Sequence, residues 1–77
     1  MKIDEEAKLL AWLKIEGFKH AITHDPEVIT LSISWTTSRG KENGFNLLYE
    51  RHAWNSHNGE EVKHRIMDTY SILTEKE

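Results

Sequence analysis

The chain has 77 residues, which is enough for one small domain spanning residues 1–77. Its 13 acidic and 10 basic side chains give a net charge of −3, unlike the strongly basic balance of domains that bind nucleic acids mainly through phosphate contacts. The absence of cysteine excludes disulfides and thiolate zinc sites and fits a reducing compartment.

The first predicted element is a helix covering about residues 5–16. Asp4 is the expected N-cap, and Gly17 suits the left-handed stop that ends many helices. The apolar residues follow helical spacing and should form one stripe facing the core. They are Ala7, Leu9, Leu10, Trp12, Leu13 and Ile15.

Three strands are predicted next, and the second has the clearest pattern. Residues 18–23 form a short alternating segment that ends at a turn around Pro26. In residues 28–37, large apolar side chains alternate with Thr and Ser, which is typical of a strand with one buried face. A Gly-containing connector, SRGKENG, leads into a third strand predicted from Phe45 to Trp54. We therefore expect a three-stranded antiparallel meander.

A second helix is predicted after the segment NSHNG, with Glu60 and Glu61 in its first turn. Its apolar face comprises Val62, Ile66, Thr69, Tyr70 and Leu73. Because the sheet and each helix have a single apolar side, both helices should pack on the same face of the sheet. The predicted fold class is α+β, a two-layer α-β-β-β-α domain.

The segment RHAWNSHNGEEVKH contains three of the five histidines. In the predicted fold, His52 ends the third strand, His57 lies in the loop and His64 lies in the second helix. One hypothesis is a zinc site or a strand-loop-helix nuclease site that includes Asn58. Against it, the histidines lack the H-x-x-x-H spacing on a helix, and no acids stand at a recognisable distance. The other interpretation is a polar junction in which Asn58 or Gly59 caps the helix and His64 pairs with Glu60 and Asp68. The sequence leaves metal binding by these histidines open.

The motif search predicts no catalytic residues, no metal ligands and no cofactor. The sequence contains neither G-x-S-x-G nor a Gly-rich phosphate loop of known form. A two-layer domain of this size also leaves little room for a substrate cavity of about 300 Å³ or more. We therefore expect a protein that is not an enzyme.

The α-β-β-β-α order resembles the topology of the double-stranded-RNA-binding domain family, and the length fits. The resemblance implies contacts to RNA phosphates through lysines at the start of the last helix. This chain has Glu60 and Glu61 there, although Arg39 and Lys41 in the hairpin loop could contact phosphate beside Glu42. Nucleic-acid binding is therefore the alternative hypothesis, and the charges disfavour it.

The preferred hypothesis is a small non-catalytic module that binds a larger protein or complex, as an inhibitor or an adaptor. Trp54 lies on the opposite parity from the apolar face, so we expect it to be exposed and to anchor the interface. The sheet face without helices should be flat and rich in short hydrogen-bonding groups. The predicted partner-binding residues are Trp54, Leu48, Glu50, Ser32, Ser34, Arg39 and Lys41.

Three further expectations concern the setting of this module. Its two free sheet edges or the Trp54 region could support a homodimer. No apolar run approaches the roughly 18 residues of a membrane span, so we expect a soluble, cytoplasmic protein without membrane contact. By analogy, compact and mildly acidic chains of this kind are typical of phage and mobile-element accessory proteins that act against host defences.

Overall fold

The computed structural model describes residues 1–75. In chain order its elements are α1 (Ile3–Ile15), β1 (Lys19–His24), β2 (Val28–Thr36), β3 (Glu42–Glu50), α2 (Arg51–Ser56) and α3 (Gly59–Glu75). The strands form one antiparallel sheet in the order β1-β2-β3. The predicted α+β class and the three-stranded meander are therefore confirmed, with α2 as an additional short helix.

The central strand β2 has the alternation that its sequence predicts. Its apolar side chains point to the inner face of the sheet, where Ile29, Leu31 and Ile33 are at most 1% exposed and Trp35 is 7% exposed. Cross-strand neighbours continue this layer, because Leu31 pairs with Ile22 of β1 and with Leu47 of β3. The inner face of the sheet therefore forms one side of the hydrophobic core.

All three helices contribute buried side chains that pack against this inner face of the sheet. The helical members of the core are Leu9 and Leu13 of α1, Trp54 of α2, and Val62 and Ile66 of α3. Since they join the same cluster as the inner face of the sheet, the domain has two layers, with the helices on one side.

Helix α1 differs from its predicted form in two respects. It begins at Ile3 with Lys2 as N-cap and no side-chain capping bond, whereas Asp4 was expected to cap it. Ala7 and Ile15 are exposed, so the prediction that they join the core-facing stripe is wrong. The buried stripe of α1 is narrower than predicted, because the helix packs against the core mainly through one line of residues. Gly17 adopts φ 86°, consistent with the predicted left-handed stop.

The third strand both begins and ends earlier than predicted, since it runs from Glu42 to Glu50 and not from Phe45 to Trp54. The backbone N–H of Arg51 still donates to the Glu27 carbonyl oxygen at 2.9 Å, but the chain then turns into α2. No proline or glycine marks this turn in the sequence. The ring of Trp54 consequently folds back against Tyr49, with ring centroids 5.3 Å apart.

Helix α3 is the longest element, with 17 residues. Asn58 precedes it, and the Asn58 Oδ1 atom accepts a hydrogen bond from the Glu61 backbone N–H at 2.9 Å. Of the two predicted caps, Asn58 and Gly59, it is therefore Asn58 that caps the helix. Within residues 1–75, no helix combines the length and apolar composition needed to cross a bilayer.

Candidate functional site

Trp54 is not the exposed anchor that the sequence predicted. It is 2% exposed and belongs to the hydrophobic core. The prediction was wrong because it counted strand parity through residue 54, whereas residues 51–56 are helical and direct this side chain inward. Trp54 is therefore removed from the candidate site.

The outer face of the sheet is the main candidate surface, because the helices pack on the opposite face. The strand register sorts its residues into three cross-strand rows. The rows are Thr23–Thr30–Leu48, Ala21–Ser32–Asn46 and Lys19–Ser34–Gly44. Eight of these nine residues are uncharged, and most have a short side chain or, in the case of Gly44, none. The structure thus brings the predicted residues Ser32, Ser34 and Leu48 together on one face.

Leu48 is the large apolar side chain of this outer face. It is 62% exposed and lies directly opposite Thr30 on the neighbouring strand. An exposed leucine alone is ordinary on protein surfaces. Its position beside short hydroxyl side chains makes it the main exposed apolar group of this face.

A shallow depression crosses the other end of the outer face. It has a volume of about 440 Å³ and lies among residues of all three strands, including Ala21, Ser32 and Gly44. Gly44 contributes no side chain, and a Cβ atom added there would lie 2.5 Å from the Ile33 carbonyl oxygen. The close approach of β2 therefore requires glycine at this position. Because glycine has no side chain, the β3 backbone is exposed here.

The charged groups of the outer face lie at its ends. Lys19 Nζ is 3.7 Å from Glu42 Oε1, and both side chains are largely exposed. At the opposite end, Glu50 Oε2 is 3.2 Å from His52 Nε2. The predicted contact residue Glu50 is therefore at the rim of the face, beside the His52 ring.

The predicted residues Arg39 and Lys41 lie beyond the sheet, in the exposed loop between β2 and β3. This loop has a defined shape: the Thr37 N–H donates to the Lys41 carbonyl oxygen at 2.7 Å, and Gly40 adopts φ 78°. The two cationic side chains thus extend one end of the outer face and do not lie over its centre.

The three histidines of the junction have separate surroundings. His57 Nδ1 lies 2.5 Å from the Ala53 carbonyl oxygen, and its Nε2 is 3.8 Å from Glu61 Oε2. His52 lies next to Glu50, and His64 is exposed on α3. In the part of the chain that the structure describes, residues 1–75, no three His, Cys, Asp or Glu side chains form a group that could hold a metal ion.

Acidic residues gather where the two long helices begin. Glu5 Oε2 accepts a hydrogen bond from the Gly59 backbone N–H at 3.2 Å, which places the first turns of α1 and α3 side by side. Glu6 Oε1 lies 2.7 Å from His24 Nε2 at the end of β1. The family resemblance would place RNA contacts at the start of the last helix, and carboxylates there would repel a phosphate backbone.

Sequence reasoning missed the β1 side of the outer face. Ala21 and Thr23 occupy two of its rows, and Gly44 shapes its depression. The alternation within residues 18–23 does assign these side chains to one face of β1, but only the strand register shows which residues of β2 and β3 lie beside them.

Comparisons of the chain with known protein families, with curated protein sequences and with solved structures found no match.

Proposed function

We propose that this chain is a non-catalytic protein-binding module that covers part of the surface of a larger protein or complex. The outer face of the sheet is the proposed contact surface. One observation supports this above all: the face presents three rows of mostly short, uncharged side chains, and its charges lie at the ends. The low charge in the middle of this face suits the core of a protein interface, where charged residues are depleted.

The size of the face determines what else must contact the partner. Three strands at the usual spacing and up to nine residues long present roughly 400 Å². A stable interface needs about 800 Å² from each partner. The contact must therefore extend beyond the strands, and the hairpin loop with Arg39 and Lys41 at one end and Glu50 at the other are the adjoining surfaces.

The charge distribution favours a protein partner over a nucleic acid. A phosphate backbone requires several unpaired cations in a row, since binding depends on releasing counterions from neighbouring phosphates. On the outer face the one cation within the rows, Lys19, faces Glu42. The first turns of α1 and α3 both carry carboxylates, and α3, the last helix, has no lysine in its first turn. Both observations weigh against double-stranded RNA as the partner.

The same surface would serve an inhibitor, which blocks a site on its target, or an adaptor, which links two proteins. The lack of cysteine fits a cytoplasmic location, where thiols stay reduced and disulfides are rare. An accessory protein of a phage or mobile element that blocks a host machine is the biological setting we propose by analogy.

A photo-crosslinking residue at Ser32, in the middle of the outer face, tests this proposal directly. The matched control carries the same residue at Ser71, an exposed serine of α3. Incubation with a cell lysate should give one dominant protein adduct from position 32 and none from position 71. Treatment with nuclease should leave that adduct unchanged.

A second pair of variants checks that the adduct depends on the face. Leu48→Asp should abolish it, whereas Ile72→Asp, which changes an aliphatic side chain 56% exposed on α3, should not. Equal yields from both crosslinking positions would contradict a contact surface on the sheet. Loss of the adduct after nuclease treatment would favour the nucleic-acid hypothesis instead.

A further inference from the structure

Two asparagines of the chain are followed directly by a glycine, Asn43 by Gly44 and Asn58 by Gly59. An asparagine in this setting can lose its side-chain amide, because the backbone nitrogen of the next residue can attack the asparagine Cγ atom. Glycine permits the attack best, since it has no Cβ atom in the way and its backbone is the least restricted. The two sites have different surroundings in the fold.

At the first site, the Gly44 nitrogen lies next to the side chain that it would attack. Its N–H donates to Asn43 Oδ1 at 3.0 Å, so the nitrogen is beside the carboxamide group that contains Cγ. The N–H groups of odd-numbered β3 residues point to β2, because the N–H of Arg51, which continues the ladder, donates to the Glu27 carbonyl oxygen. The Gly44 N–H therefore points away from β2, and Gly44 is an exposed residue.

The position of Asn43 in the strand also matters, because ring closure requires its backbone to leave the extended conformation. Asn43 is the second residue of β3 and follows the loop from β2. The ends of strands open locally more readily than their middles do. The glycine beside it is fixed by the fold, since a Cβ atom at position 44 would lie 2.5 Å from the Ile33 carbonyl oxygen. The reactive pair is therefore built into this end of β3.

At the second site, the corresponding groups are bound to other partners. Asn58 Oδ1 accepts the Glu61 N–H at 2.9 Å, and the Gly59 N–H donates to Glu5 Oε2 at 3.2 Å. Attack by the Gly59 nitrogen would break both hydrogen bonds. Loss of the proton from this nitrogen is also unfavourable beside the Glu5 carboxylate, because two negative charges would then lie close together. Asn58 should therefore react slowly.

We propose that Asn43 is a site of spontaneous deamidation in the folded protein, whereas the cap of α3 protects Asn58. The Gly44 nitrogen gives its proton to hydroxide and forms a bond to Asn43 Cγ. The bond between Cγ and the side-chain nitrogen breaks, and that nitrogen takes a proton from water and leaves as ammonia. The product is a five-membered succinimide. Water then opens this ring at one of its two carbonyl groups, which gives aspartate or isoaspartate.

Both products change the end of the sheet next to the loop between β2 and β3. Each adds a carboxylate to a chain that already has a net charge of −3. Isoaspartate also adds one carbon to the backbone before Gly44, so the pairs Asn43–Trp35 and Gly44–Ser34 cannot both keep their register. The reaction is independent of the proposed function, because it needs only water.

Peptide mapping of the full chain by mass spectrometry tests the site. Trypsin cleaves after Lys41, Arg51 and Lys63, so Asn43 and Asn58 fall on different peptides. At physiological pH and temperature, deamidation should be at least about tenfold faster at Asn43, because loss of one charge-assisted hydrogen bond at Asn58 costs at least this factor. In guanidinium chloride the two rates should converge. Equal rates in the folded protein, or a faster reaction at Asn58, would overturn the proposal.

Two variants test the causes separately. Glu5→Ala removes the acceptor of the Gly59 N–H, so it should speed deamidation of Asn58 about tenfold and leave the rate at Asn43 unchanged. Asn43→Gln should stop the reaction at position 43, because the attack would then have to form a six-membered ring, which closes more slowly. Thermal melts check that both variants are folded. An unchanged rate at Asn58 in Glu5→Ala would overturn the proposed protection, and rapid deamidation of Asn43→Gln at this position would overturn the mechanism.

Discussion

The two ends of the sheet are held together by different kinds of interaction. At the end where β3 passes into α2, polar groups join segments that are distant in sequence. The Arg51 guanidinium donates hydrogen bonds to the backbone carbonyl oxygens of Asp25 and Pro26, with a distance of 2.9 Å to Pro26. The Met1 ammonium group donates to the Trp54 carbonyl oxygen. We call this the junction end.

At the hairpin end, a larger cluster of aromatic rings packs together. Trp35 lies edge to face with Phe18, Phe45 and Tyr70, with ring centroids 4.7 to 6.0 Å apart. The Trp35 Nε1 atom is buried and has no hydrogen-bond partner among residues 1–75. Apolar packing therefore holds this end together while leaving one polar group unsatisfied.

The difference between the two ends shows two ways of stabilising the edge of a small domain, by hydrogen bonds and by aromatic packing. Hydrogen bonds to specific carbonyls fix the path of the chain, because they work only at one distance and angle. Aromatic packing stabilises through buried area and tolerates several ring arrangements. The junction end, where Trp54 also packs against Tyr49, should therefore be sensitive to changes of both polarity and volume, and the hairpin end mainly to changes of volume.

Trp54→Ala should have the largest effect on stability, because it removes the main buried ring of the junction end. We expect a loss of about 3–5 kcal/mol in the free energy of unfolding, measured by urea titration. Leu48→Ala is the control and should change stability by no more than about 0.5 kcal/mol, since that side chain is 62% exposed. A Trp54→Ala protein as stable as the parent would show that this ring is not part of the core.

Arg51→Met should have an intermediate effect, because it keeps the stem of the side chain and removes its donors. We expect a loss of about 1–2 kcal/mol, with faster hydrogen exchange at the Asp25 amide, which donates to the Val28 carbonyl oxygen in the adjoining turn. Arg39→Met in the hairpin loop should leave both measurements unchanged. Unchanged exchange in Arg51→Met would mean that the guanidinium does not hold the turn.

Trp35→Phe should have the smallest effect, because it removes an unpaired buried N–H together with part of a ring. The relief of the unsatisfied donor and the lost packing oppose each other, so we expect a change within about 1 kcal/mol. Trp35→Leu, which loses more ring area, should cost more. A loss above about 2 kcal/mol for Trp35→Phe would indicate that the indole N–H has a hydrogen-bond partner, such as an ordered water.

The sequence was most informative where one periodicity extends over many residues. In β2 the alternation from Ile29 to Trp35 determines which face is buried, and this prediction is confirmed. The junction was predicted wrongly because α2 has only six residues, too few for a helical repeat to be distinguished from the end of a strand. The residue type and position of Asn58 indicated that it could cap α3, whereas nothing in the sequence around Trp54 indicated that its side chain would be buried.

The candidate surface was only partly predictable for a related reason. Local alternation places Ser32 and Ser34 on the face opposite the core, as found. Which residues of the neighbouring strands lie beside them depends on register, which turns and long-range packing determine together. The exposure of Ile15 was predictable, because at about 100° per residue this side chain lies far around the helix from Leu9 and Leu13, and the prediction erred in adding it to their stripe.

Gly44 limits how the outer face could be altered by protein engineering. A library that randomises Ser32, Asn46 and Leu48 changes side chains that already project from the sheet. Any larger residue at position 44 would instead force β2 and β3 apart, because its Cβ atom would be within 3.0 Å of Ser34 Cβ as well as close to the Ile33 carbonyl oxygen. New binding specificities are therefore accessible in two rows of the face, whereas the row containing Gly44 must retain its glycine.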